Sequence, residues 1–369
     1  MMVFCCMESR APVLEIQQLR LNLESYLILL AATALPAALL WLVYIRPRPL
    51  LPPQRHRYVA WSGFEVSLVF FLVLLFWPAV TDACVWGSGF LRWLYGSGLK
   101  DPLDPALAKL SDDRRVLWMT VLAWPIQIAT VLVLLHGLIR DRAYQLGLSF
   151  HNLARNLLLG WVGWALFAPV VLCCHIATEW FFRTASGDTP EEHPLLRIFE
   201  ASPLRLEWIL IIVSATILAP VLEELLFRGV LQPWFASRPW GGTVALLAAL
   251  SFPFLLRGHK LVEAWHGKDH AGFLHESTPV LFAGLMIAAC YAFERVAAKW
   301  GARPHEFRAI YGTALLFAMF HVSVWPTPIP LFLLALGLGY LAYRTQSIVG
   351  PIVMHVLFNT IACIALFLA

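Results

Sequence analysis

Two glutamates and an arginine stand in "PVLEELLFRG", residues 220–229, at the end of a run that is almost entirely apolar from Ile209 to Leu222. A charge at the centre of a membrane helix costs at least about 2.5–3.5 kcal/mol, so such residues face a cavity or a partner and often mark function. Adjacent helical residues point about 100° apart, whereas i and i+4 share a face. Glu224 can therefore pair with Arg228 along one helix, and Glu223 needs a partner from elsewhere. Two further apolar stretches carry polar side chains at the same spacing: Phe317 and His321 in "LLFAMFHV", and His355 and Asn359 in "PIVMHVLFNT". Taken singly, these are a packing salt bridge, a hydrogen-bonded core histidine and a polar contact between helices. Taken together they are two carboxylates, two histidines and an amide on three helices, each with one inward polar face. A glutamate and two histidines can supply a general base, a positioned water and oxyanion donors. The same three side chains, Glu223, His321 and His355, are also zinc-ligand types. Either chemistry uses an attacking water, hence hydrolysis.

The elements that must position these residues are membrane helices. The sequence is 60% hydrophobic and only 14% charged, with a mean hydropathy of +0.71. A soluble domain is nearer 45–50% apolar and about 25% charged. Apolar stretches fall at about 26–45, 60–80, 116–139, 157–177, 207–235, 241–256, 279–297, 309–324, 330–343 and 348–368. They are continuous, unlike the alternating strands of a membrane barrel. We expect an all-α, polytopic transmembrane helical bundle of about 8–10 spans, some of them short. Basic residues gather after the first stretch (Arg46, Arg48, Arg55, Arg57) and the third (Arg140, Arg142, Arg155), and the positive-inside rule puts those loops in the cytoplasm. The net charge of +4 is unclustered, so the partners expected are the lipid bilayer and a membrane-associated protein or peptide, not nucleic acid. The seven cysteines form no C-x-x-C pair and read as small apolar side chains.

The three motifs, "APVLEELLFRGVLQPWF", "LLFAMFHV" and "VGPIVMHVLFNT", resemble the CPBP family of CAAX prenyl proteases and bacteriocin-processing proteins, also called Abi. That family's pattern is E-E-x-x-x-R, then F-x-x-x-H, then H-x-x-x-N, and all three occur here in order. The resemblance implies a multi-pass intramembrane endopeptidase. It implies that Glu223 and His321 activate the water and that His355 and Asn359 serve the oxyanion. Glu224 and Arg228 would be the supporting pair, with Phe317 beside them. It leaves open a metal-free glutamate mechanism or a metallopeptidase with zinc on Glu223, His321 and His355. The alternative is a non-catalytic membrane scaffold or bacteriocin-immunity-type factor of the same fold. In a bacterium the location would be the inner membrane.

The expected organisation is an N-terminal segment (1–25), anterior helices (26–206) and a CPBP-like domain (207–369). Within the last, residues at about 240–300 separate the first two motifs further than the family usually does and read as an insertion. The insertion is expected to hold a polar loop, "RGHKLVEAWHGKDHAGFLHES", and an extra span. The loop's His259, His266, His270 and His275 are irregularly spaced and read as solvated. "HESTP" and "HEFRA" lack the second histidine of H-E-x-x-H. "WGSGF" and "YGSGL" lack the rhomboid G-x-S-G order, and "ASGD" lacks the first glycine of G-x-G-D.

Overall fold

A computed structural model describes residues 61–87, 105–139, 152–186, 205–299 and 304–368, with a few single positions between them. Nine continuous helical rods fill these ranges: α1 (63–87), α2 (Pro105–Ile139), α3 (Leu153–Ser186), α4 (205–236), α5 (Gly241–His266), α6 (His270–Lys299), α7 (Pro304–Met319), α8 (Pro328–Thr345) and α9 (Val349–Leu368). They match nine of the ten apolar stretches. The first stretch, 26–45, and the basic residues after it lie outside the described residues. Among the described residues seven helices are long and apolar enough to cross a membrane, and α9 adds a shorter apolar one. The protein is an integral, multi-pass membrane protein.

α7 is the innermost helix. Leu315, Phe317, Ala318 and Met319 are wholly buried on it, while Phe64, Val133 and Leu255 on outer helices face outward. α5, α6 and α8 surround α7, and α3 lies against both α8 and α9. Lipid gives apolar helices no hydrophobic reason to associate, so small residues that let backbones approach carry much of the packing. At the α5–α7 crossing a Cβ on Gly312 would lie 2.9 Å from the Gly242 carbonyl oxygen and from the Ala245 Cβ.

Three π-helical turns occur among the described residues: Leu72–Phe76 in α1, and Ser214–Leu218 and Leu225–Leu231 in α4. Each lies just before a proline, Pro78, Pro220 and Pro233. Proline has no N–H and its ring presses on the carbonyl four residues back, which falls inside the π turn each time. Proline alone is not sufficient, since Pro125, Pro169, Pro253 and Pro279 sit inside helices without one. A π turn widens the ladder and leaves a carbonyl to be satisfied, which in a membrane costs several kcal/mol if it is not. Each of the three has a carbonyl that accepts a side-chain bond from another part of the chain. Gln127 Nε2 donates to Val73 O (2.8 Å), Asn359 Nδ2 to Ala215 O (2.8 Å) and Trp61 Nε1 to Val230 O (3.2 Å).

The polar segment 257–277 differs from expectation. It is not a loop: α5 runs on to His266 and α6 starts at His270. The turn between them is Gly267–Asp269, with Lys268 at φ 53° and Asp269 Oδ1 accepting from Gly272 N (2.9 Å). Its lysine, glutamate, alanine and leucine residues favour helix. Arg257 on α5 and Glu276 on α6 clamp the hairpin through two charge-assisted bonds of 2.8 and 2.9 Å. His259, His266 and His270 are exposed on its surface and His275 is half-buried.

Candidate active site

α4 brings two adjacent glutamates into opposite surroundings. Glu224 is wholly buried, and its Oε1 accepts from Arg228 Nη1 at 2.8 Å and from His355 Nδ1 at 2.9 Å. Arg228, also buried, donates to the Ala335 carbonyl of α8 (3.2 Å), and its guanidinium lies 4.6 Å from the centre of the Phe317 ring. One cation therefore ties α4 to α7 and α8. The i,i+4 pair expected from the sequence is present; the link from Glu224 to His355 was not expected.

Glu223 points the other way, as helix geometry requires. Its carboxylate stands 3.8 Å from His321 Nε2 and 3.7 Å from His355 Nε2. These distances are beyond direct hydrogen bonds. The Glu223 side chain is 25% exposed and that of His321 35%, against 0% for Glu224 and 3% for His355. The open side of the cluster is thus at Glu223 and His321.

Both imidazoles are oriented through Nδ1. His321 is just beyond the end of α7, and its Nδ1 lies 3.0 Å from the Phe317 carbonyl. A carbonyl only accepts, so Nδ1 donates and Nε2 is left to face Glu223. His355 Nδ1 is held in the same way by the Glu224 carboxylate. The Phe317 ring fills the space between, 5.1 Å from the His321 ring and 5.9 Å from the His355 ring, with Phe227 on its other side at 5.1 Å.

Residues 205–300 and 290–361 match the family model described as type II CAAX prenyl endopeptidase, Rce1-like. Residues 205–361, most of the second half of the chain, are thus similar to that family. This agrees with the family resemblance carried by the three motifs. No curated protein and no solved structure matches the chain.

In the Rce1-like segment, α4, the end of α7 and α9 bring Glu223, His321 and His355 together. Asn359 is placed differently. It sits one turn along α9 from His355 and donates to the π-turn carbonyl of Ala215. An open, apolar cleft of about 440 Å³ runs between α3 and α6, lined by Phe182, Phe282 and Trp325 among others. Trp325 packs against both phenylalanines, with ring centres 5.7 and 6.1 Å away. The cleft does not include the three converging residues, but it ends on the segment that carries His321. Sequence reasoning missed this cleft, because Phe182, Phe282 and Trp325 are far apart in the chain and ordinary in a membrane helix.

Proposed function

We propose that this protein is an intramembrane endopeptidase that hydrolyses a peptide bond of a membrane-associated protein or peptide, using a water activated between Glu223 and His321. The observation that supports it best is the Glu223 carboxylate facing the Nε2 atoms of two histidines at 3.7 and 3.8 Å on the exposed side of the cluster. A carboxylate oxygen and a neutral imidazole Nε2 both accept hydrogen bonds, so together they suit a water that donates to each. The water's oxygen attacks the peptide carbonyl carbon while Glu223 takes its proton. The C–N bond then breaks, and Glu223 returns the proton to the leaving amine.

His355 differs from His321 in what stands behind it. Its Nδ1 is held by the Glu224 carboxylate, which fixes the ring with Nε2 on the Glu223 side, where the oxyanion would develop. Asn359 holds the Ala215 carbonyl, so a role for that N–H at the oxyanion requires the bond to yield.

Glu223, His321 and His355 are zinc-ligand types. Among the described residues, however, no three His, Cys, Asp or Glu side chains are gathered to hold a metal ion. The family description makes a prenylated CAAX-type C-terminus the first substrate to test. The cleft that ends at Trp325 suits the apolar part of such a substrate. Purified Glu223→Ala and His321→Ala proteins should lose cleavage of any peptide that the wild type cuts. Retained cleavage by either variant refutes the reading.

A further inference from the structure

We infer that Arg257, on the α5–α6 hairpin, is a positioning residue for His321. This rests on the proposed role of His321 in hydrolysis. Arg257 is 2% exposed, and three bonds of its guanidinium matter here. Two are the clamp on Glu276, and the third runs from Nη1 to the Val322 carbonyl at 3.3 Å. Val322 directly follows His321.

The reason lies in how α7 ends. The last four carbonyls of a helix have no partner in the helix, and a membrane offers little water to replace it. Beyond Met319 the chain turns tightly. His321 N donates to Ala318 O (3.0 Å), Val322 N to Met319 O and Val324 N to His321 O (both 3.1 Å). Phe317 O accepts the His321 ring. Arg257 supplies the bond to Val322 O, so the turn is pinned from outside on the residue beside the histidine. A cation at a helix C-terminal end is also favoured by the helix dipole. Glu276 holds the guanidinium plane through both its oxygens, which fixes the direction of Nη1. A lysine has no such fork and cannot hold Glu276 with two parallel bonds while reaching Val322. Through Arg257 the hairpin between the first two motifs therefore makes a polar contact with the turn that carries His321, beside the stacking of Phe252 on Phe320 (4.1 Å).

The test uses the full-length protein in detergent and a peptide that the wild type cleaves. Arg257→Met and Arg257→Lys should lower kcat by roughly tenfold to a hundredfold, the range expected when a reacting group is misplaced by about 1 Å, with KM little changed. Hydrogen exchange at the amides of residues 320–327 should rise, while that of residues 219–231 stays as in the wild type. The swap Arg257→Glu with Glu276→Arg retains an ion pair but turns the cation away from Val322. It should keep the thermal midpoint and not restore kcat. Where Arg257→Met does not fold, Arg257→Lys and the swap are read alone. Wild-type kcat in Arg257→Lys, or full recovery in the swap, overturns the inference. Glu223→Ala run alongside separates the two ideas: an active Glu223→Ala refutes the hydrolytic mechanism. An inactive one beside fully active Arg257 variants refutes only the positioning role.

Discussion

Glu223 and Glu224 are neighbours of identical chemistry, and their isosteric amides should have opposite phenotypes. In Glu224→Gln the amide oxygen can take the place of Oε1, which accepts both bonds, from Arg228 and His355. The amide nitrogen then takes the place of Oε2, which has no hydrogen-bond partner. Shape and contacts survive and only the charge is lost. A bond to a charged group is worth about 1.5–3 kcal/mol and a neutral one about 0.5–1.5. Over two bonds the expected loss is about 2–3 kcal/mol. At an unfolding entropy of about 2.1 cal/mol/K per residue, this lowers the midpoint by roughly 3–4 °C. Glu224→Ala removes one side of a buried pair outright and should cost about 3–5 kcal/mol. Glu223 makes no bond shorter than 3.7 Å to either histidine, so Glu223→Gln should leave the midpoint unchanged. Its cleavage rate should fall by roughly 10²–10⁴-fold, the usual contribution of a general base. Thermal unfolding in detergent and cleavage of a wild-type substrate, measured on both variants, give the comparison. A Glu223→Gln protein destabilised as much as Glu224→Gln, or a Glu224→Gln protein with the wild-type midpoint, would refute the reasoning.

The other predictions concern packing. Phe317 is wholly buried under Arg228 and between both histidines. Phe317→Ala should lose about 3–5 kcal/mol of stability and also kcat, read as midpoint and rate on the same preparation. Gly312→Ala should lose about 1–3 kcal/mol, because the new Cβ would lie 2.9 Å from α5. Gly258→Ala meets nothing within 4 Å and should be neutral or gain up to about 1 kcal/mol. Equal midpoints for the two glycine variants would show that the α5–α7 contact is not close.

The helices were legible because each membrane-buried segment is a continuous apolar run. Hydropathy saw only that part. It stopped short at the α5–α6 hairpin, where Lys260, Glu263, Lys268 and Asp269 carry the helical pair on past its apolar portion. The Glu224–Arg228 pair was legible because it is local, four residues along one face. The bond from His355 to Glu224 spans 131 positions, and no periodicity encodes it. The three motifs still pointed to Glu223, His321 and His355 meeting, because each sets polar side chains on one face of an otherwise apolar helix. Arg257 gave a fainter signal of the same kind: an arginine at the end of an apolar run.

Asn359 shows how a polar residue in a membrane can answer a demand of the backbone as well as one of a reacting centre. Its distance from His355, one helical turn, suggests that both side chains serve one reacting centre. The backbone of α4 makes a prior demand. Pro220 is accompanied by a π turn at Ser214–Leu218, and the Ala215 carbonyl in that turn needs a donor. Gln127 and Trp61 meet the same demand at the other two π turns, and neither stands in a catalytic motif. The recurrence gives Asn359 a structural task of the kind the other two perform. By holding Ala215 it fixes α9 against α4, and α9 carries His355 to Glu224. One influence of Asn359 on the site therefore runs through the placement of His355.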